Sequence, residues 1–183
     1  MKQYFTPVFV LLIICVVVTT ALVVTHHLTE PLIEEISNKN ADLIRAEVLP
    51  EGSDGFTQQH LELLENVKDV YAANNGSGYV ITSFGMGFGG EVIVMTGLDQ
   101  DGKIVGIKVM EHEETPGLGT KVMTPEYLSQ YLEQNKITRT GEENATQIEA
   151  ITGSTVTSDA IFAAADVALA QFAKIPQTGG SDK

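Results

Sequence analysis

From Phe5 to Val24 the chain reads FTPVFVLLIICVVVTTALVV, without one charged side chain. No other segment limits the architecture so strongly. A helix of about twenty apolar residues crosses a bilayer core of roughly 30 Å. The only polar groups in the run are three threonines, and hydroxyls of this kind bond back to the helix backbone. A cleaved signal peptide fits less well, because the run exceeds a usual apolar core and no A-x-A site follows. Cys15 lies inside the run, so it does not mark a lipid-attachment site at its end. The reading is an uncleaved, single-pass anchor over residues 1–29.

Charge gives the orientation. Lys2 is the only charged side chain before the run, while Glu30, Glu34 and Glu35 follow it and no basic residue comes until Lys39. Positive-inside counting places the N-terminus in the cytoplasm of a cell (inner) membrane and the remainder on the extracytoplasmic side. All 24 acidic residues lie at or beyond Glu30, with 10 of the 11 Lys and Arg, so that remainder carries a net charge of −14 within a chain of −13. Such a surface repels nucleic acid and anionic headgroups, and no basic patch opposes this.

A single cysteine supplies no internal disulfide and no thiolate set for an iron–sulfur cluster. There is no CxxCH for haem, and His26, His27, His60 and His112 lack metal-ligand spacing. No residue stands out as a general acid or base. If this chain moves electrons, an organic cofactor carries them.

Residues 30–60 read as a stalk helix and a loop. Ile33, Ile36, Ile44 and Val48 recur at roughly helical spacing over Leu32–Leu49, with Pro31 suited to a first turn. A short helix is expected over Leu61–Glu65. Val67–Ala73, Tyr79–Phe84, Val92–Leu98 and Ile104–Met110 are rich in Val, Ile, Tyr and Phe and read as strands. Asp99-Gln-Asp-Gly102 is a hairpin signal between the last two. Thr124-Pro125-Glu126 supplies an N-cap, a first-turn proline and an acid. Tyr127, Leu128, Tyr131 and Leu132 form an apolar stripe. A final helix from about Ser158 to Lys174 presents Ile161, Ala165, Ala168 and Phe172, widened by Phe162 and Leu169. The tail over 176–183 has a disordered composition. The expected class is α+β: a transmembrane helix, then an antiparallel sheet packed with helices over residues 61–175.

Three segments exceed scaffold needs. Gly85-Met-Gly-Phe-Gly-Gly90 packs four glycines into six residues but precedes a strand, whereas a Rossmann fingerprint opens a helix. Gly87 and Gly89 are candidates for close backbone approach to a flat ligand, against a plain hairpin connection. In His112-Glu-Glu-Thr-Pro-Gly-Leu-Gly119, Pro116 fixes one backbone angle and Gly117 and Gly119 free two others. In Ile151-Thr-Gly-Ser-Thr-Val-Thr-Ser-Asp159, five hydroxyl residues crowd before a helix. One cap needs one of them, from Thr157, Ser158 or Asp159. The others are free to meet a phosphate at a helix N-terminus.

These residues carry a resemblance. Thr152-Gly-Ser-Thr155 resembles the Ser/Thr-Gly-Ala-Thr/Ser attachment motif of FMN-binding domains, in which a flavin transferase esterifies the last residue with the FMN phosphate. The loop from His112 to Gly119 resembles that of the G subunit of Rnf-type ferredoxin–NAD oxidoreductases. Ser154 stands where the family usually has Ala, and Glu149 where it usually has Asp. The resemblance implies FMN bound covalently through its phosphate to Thr155, with Thr152, Gly153 and Ser154 as cradle. It implies that Glu114, Thr115, Pro116, Gly117, Leu118 and Gly119 line the flavin. It further implies an electron-transfer subunit of an ion-translocating complex, partnered by other integral membrane subunits and matured by the transferase. The C subunit of the sodium-pumping NADH–quinone reductase and a stand-alone surface flavin shuttle share the domain. A cofactor-free envelope scaffold is the rival from another class.

Overall fold

The computed structural model describes residues 2–52, 54–140 and 145–176, the side chains of 2–7 and 31–39 excepted. The composition-based expectation for the tail lies largely outside these. The chain forms two compact units, residues 1–41 and 42–183.

The first unit is helical. Helix α1 spans Lys2–Val48, so the stalk helix expected from Leu32 continues from the anchor, and Pro31 sits inside α1 rather than in a first turn. A proline inside a helix forfeits one backbone bond. Within α1, Val8–Glu30 contains an 18-residue stretch of mean hydropathy 3.0 and is long and apolar enough to cross a membrane. The hydroxyls of Thr20, Thr25 and Thr29 donate to the carbonyls of Val16, Ala21 and Thr25. Their polar groups are thereby satisfied without water.

The second unit is built on an antiparallel meander. Strands β1 (Phe56–Gln58), β2 (Val67–Ala73), β3 (Gly78–Met86), β4 (Glu91–Asp99) and β5 (Ile104–Glu111) pair in chain order. The four longer strands match the expected ones within two residues at each end. After β5 come α2 (Pro125–Leu128), the two-residue strands β6 (Ile137–Thr138) and β7 (Thr146–Gln147), and α3 (Thr155–Lys174). Thr124 caps α2, its hydroxyl accepting the Tyr127 N–H, with Pro125 in the first turn as expected.

Each face of the sheet is covered. On one face Val70, Ile81, Val94, Leu98 and Ile104 pack with Ala160, Ile161, Ala164, Ala165 and Ala168 of α3. The alanines allow close approach, and Gly85 allows more: a Cβ there would stand 2.1 Å from the Ala160 carbonyl oxygen. The Ser83 hydroxyl donates to the Ala164 carbonyl at 2.8 Å. On the other face Val80 and Met95 meet Val48 and Leu49. There the register pairs Gly97 with Gly106, and a Cβ on either would strike the Val48 carbonyl.

Two local expectations need correction. Leu61–Glu65 is not a helix. Its backbone is held from outside: the Leu64 N–H donates to Gln171 Oε1 at 2.7 Å, and Gln171 Nε2 donates to the Glu62 carbonyl. The last helix begins at Thr155, three residues before the expected Ser158. Thr157 and Ser158 are therefore helical residues, not caps. The α+β class stands.

Candidate functional site

The meander brings three separated segments to one end of the sheet. β3 ends at Met86 and β5 at Glu111, both beside the start of β4. α3 begins over the same end, because Gly85 lets Ala160 sit against β3. The Gly85–Gly90 hairpin, the loop after β5 and the N-terminus of α3 enclose a cleft of about 350 Å³. Of the residues singled out by sequence, Glu114, Thr115, Leu118, Gly119, Gly153, Ser154 and Thr155 line it.

At the helix end, Gly153 takes φ +85° in the turn closed by the Ser154 N–H and the Ile151 carbonyl. Glycine adopts that angle without strain. Ser154 occupies the N-cap position but caps nothing with its side chain. Its hydroxyl donates instead to the Leu118 carbonyl at 2.6 Å, and the residue is 4% exposed. The first-turn N–H groups of α3 are thus left to the cleft. Thr155, the first helical residue, is exposed. An uncapped N-terminus of this kind favours an anion through its free N–H groups and the helix dipole.

Glu114 is the hub of the opposite wall, with 6% exposure. Its Oε1 accepts the Gly89 N–H at 2.9 Å and its Oε2 the Thr157 hydroxyl at 2.7 Å. Burial pushes its carboxyl pKa up. The N–H groups of Gly89 and Phe88, the Thr157 hydroxyl and the charge of His112 outweigh burial and hold it below 4.5. Gly119 and Gly87 make room for this carboxylate, since a Cβ would come within 2.4 Å and 2.3 Å of its oxygens.

The remaining candidates do not line the cleft. A Cβ on Gly89 would meet the Glu113 carbonyl oxygen at 2.1 Å, so this glycine, like Gly87, serves protein packing. Pro116 and Gly117 are exposed on the loop. Gly117 holds φ +77° with open space beyond, and its N–H donates to Thr120 Oγ1. Thr152 is exposed in the turn before Gly153.

Three lining residues escaped the sequence-based expectation: Phe88, Val156 and Thr157. Phe88 carried a usable signal, an aromatic side chain set among glycines where a hairpin tip has no need of one. Thr157 stood out only as a possible cap. Its partner Glu114 is 43 residues away, beyond local pattern.

A model of the FMN-binding domain family matches residues 87–170, from this hairpin through most of α3. The G subunit of the Na⁺-translocating ferredoxin:NAD⁺ oxidoreductase complex of Acetobacterium woodii is 31% identical over 188 residues, covering 92% of this chain and 91% of its own. The G subunit of the ion-translocating oxidoreductase complex of Methanosarcina acetivorans is 27% identical, covering 93% and 97%. The G subunit of the proton-translocating ferredoxin:NAD⁺ oxidoreductase complex of Clostridium ljungdahlii is 28% identical, covering 82% of each.

Proposed function

This chain belongs to the FMN-binding G subunits of ion-translocating oxidoreductase complexes, and on that premise we propose that it carries FMN as a phosphoester on Thr155 and relays electrons between ferredoxin and NAD⁺ with coupled ion movement. The observation that carries the reading is the exposed Thr155 at the uncapped N-terminus of α3, opening on a cleft beside Glu114.

The residues present fit such a group. The first turn of α3 offers N–H groups to a phosphate, an attraction of about 0.3–1 kcal/mol in exposed settings. Gly153 places no side chain at the turn below it, and a Cβ there would meet nothing within 4 Å. Bound FMN supplies the redox chemistry, and the chain holds, orients and shields it. Thr155 anchors without reacting further. An ester also suits an acidic domain: it turns a phosphate dianion into a monoanion, which lessens repulsion from a chain of net charge −13.

The anchor reading places the second unit outside the cytoplasm, away from the cytosolic FMN pool. Non-covalent occupancy depends on free ligand by mass action, and a covalent link removes that dependence. A flavin transferase and other integral membrane subunits are the partners this reading requires.

The test is expression with and without a flavin transferase, followed by denaturing gels scanned for flavin fluorescence. Wild-type protein gains a fluorescent band only with the transferase, and Thr155→Ala abolishes it. Covalent flavin on Thr155→Ala overturns the site. Wild-type protein that never acquires flavin overturns the electron-carrier reading.

A further inference from the structure

We propose that Tyr127, Gln130 and Arg139 are positioning residues that preset Thr155 as an acceptor, by clamping the strap of residues 148–154 that leads into α3. This rests on the FMN reading and deepens it, since it concerns how the acceptor is presented rather than what the cleft holds.

After β7 ends at Gln147, the Ile148 N–H continues the pairing with one bond to the Thr138 carbonyl. Beyond that point the backbone is held by side chains distant in sequence. The Glu149 N–H donates to Gln130 Oε1 at 2.8 Å, and the Glu149 carbonyl accepts the Tyr127 hydroxyl at 2.9 Å. The two holders are joined, because Gln130 Nε2 donates to the Tyr127 carbonyl at 3.0 Å. Arg139 adds a third point, its Nη1 donating to the Ile148 carbonyl at 2.8 Å. Its Nη2 lies 3.1 Å from Asp159 Oδ1, and its guanidinium sits 4.9 Å from the centre of the Phe162 ring. One side chain thus ties the start of the strap to the helix that bears Thr155.

Glu149 and Ala150 are exposed, so water is at hand for their backbone groups. The bonds at Glu149 therefore fix a conformation more than they rescue buried groups. The far end of the strap is fixed as well: the Ile151 N–H donates to Ser158 Oγ at 3.3 Å and the Ser154 N–H to the Ile151 carbonyl at 2.9 Å. An exposed segment held at both ends presents Thr155 in one geometry. The transfer needs that geometry. The Thr155 Oγ–P bond forms as the phosphoanhydride bond of a flavin dinucleotide donor breaks, the nucleoside monophosphate leaves, and the hydroxyl proton passes to solvent. Such a displacement requires the acceptor oxygen close to the phosphorus and in line with the leaving group, and a fluctuating acceptor meets that condition rarely.

The experiment uses full-length, flavin-free protein in detergent with purified flavin transferase and FAD, and reads the initial rate of the fluorescent gel band as kcat/KM for the acceptor. Wild type is compared with Tyr127→Phe, Gln130→Ala, Gln130→Glu and Arg139→Gln, each shown to be folded by denaturant unfolding. Ser83→Ala is the control: it also removes a side-chain bond to a carbonyl, that of Ala164, but touches no part of the strap. Tyr127→Phe, Gln130→Ala and Arg139→Gln should each lower kcat/KM by roughly ten-fold while long incubation still gives a full band. Gln130→Glu keeps an acceptor for the Glu149 N–H and should recover much of the rate lost in Gln130→Ala. Ser83→Ala should load at the wild-type rate. Wild-type rates in Tyr127→Phe and Gln130→Ala, or an equal slowing in Ser83→Ala, overturn the positioning role and leave the Thr155 ester intact. If Arg139→Gln or Gln130→Ala fails to fold, Tyr127→Phe, which loses one hydroxyl and keeps its ring, decides by the same reading. Failure of wild type to load overturns the FMN reading, and this one with it.

Discussion

The Thr157 hydroxyl donates to Glu114 Oε2 at 2.7 Å, tying the first turn of α3 to the loop after β5. Through its other oxygen Glu114 also holds the Gly89 N–H. One carboxylate therefore joins all three segments of the cleft. Its form matters, since an ionised carboxylate accepts both bonds and a protonated one accepts them more weakly.

That relationship predicts a pH dependence. The folded pKa of Glu114 lies below 4.5, because the four groups that stabilise the anion outweigh burial. A depressed carboxyl stabilises the fold fully above the unfolded value, and its contribution is lost as pH falls through the folded value. Glu114→Gln should cost about 1–3 kcal/mol near pH 7. The gap from wild type should narrow as pH drops below 4.5. Denaturant unfolding at neutral and acid pH measures it, and a gap constant with pH contradicts the ionised clasp.

Two glycines of one loop should behave differently. Gly119→Ala drives a Cβ to 2.4 Å from Glu114 Oε2 and 3.0 Å from Thr157 Oγ1, an overpacking worth about 1–3 kcal/mol. Gly117→Ala meets nothing but must hold φ +77°, a strain of about 1–2 kcal/mol. Stability losses should therefore be similar, while only Gly119→Ala shifts the absorption of loaded protein. A shift in Gly117→Ala alone would place that glycine against the flavin after all.

What the sequence made legible follows from what is local. The strands, the Asp99–Gly102 hairpin and the Thr124–Pro125 helix start are each written in neighbouring residues. The hydroxyl cluster stood out in the same way, and Ser154, Thr155 and Thr157 line the cleft. What failed was decided by distant partners. Leu61–Glu65 forms no helix, and Gln171, more than a hundred residues later, takes the Leu64 N–H and the Glu62 carbonyl. The surplus hydroxyls before α3 are spent on tertiary contacts: Thr157 on Glu114, Ser154 on Leu118, while Ser158 returns to the Ser154 carbonyl. The hairpin glycines have a packing reason that sequence alone cannot show: Glu113 and Glu114 fill the space beside Gly89 and Gly87.

The topology is open to direct test. Lys2 precedes the apolar stretch and glutamates follow it, and positive-inside counting then predicts the second unit outside the cytoplasm. Protease added to intact spheroplasts should digest residues beyond Glu30. Protection in spheroplasts with digestion in inverted vesicles would overturn the orientation, and with it the argument that a covalent link replaces access to cytosolic FMN.

The neighbouring hydroxyls should separate cleanly by function. Ser154 is the nearest rival acceptor to Thr155, but it is 4% exposed and its hydroxyl is committed to the Leu118 carbonyl. Ser154→Ala should keep covalent flavin and lose about 0.5–1.5 kcal/mol of stability as that carbonyl loses its donor. Thr157→Ala should likewise keep the flavin while weakening the Glu114 clasp. Ser158→Ala should keep it too, since that hydroxyl donates to the Ser154 carbonyl inside the domain. Thr155→Ser retains an exposed hydroxyl at the same helix position and should still be loaded. Peptide mass mapping of the loaded proteins reads the attachment point directly. Flavin mass on the Ser154 side chain, or its loss in Ser154→Ala while Thr155 is intact, would move the acceptor one residue toward the N-terminus and require the buried serine to leave Leu118 for the reaction.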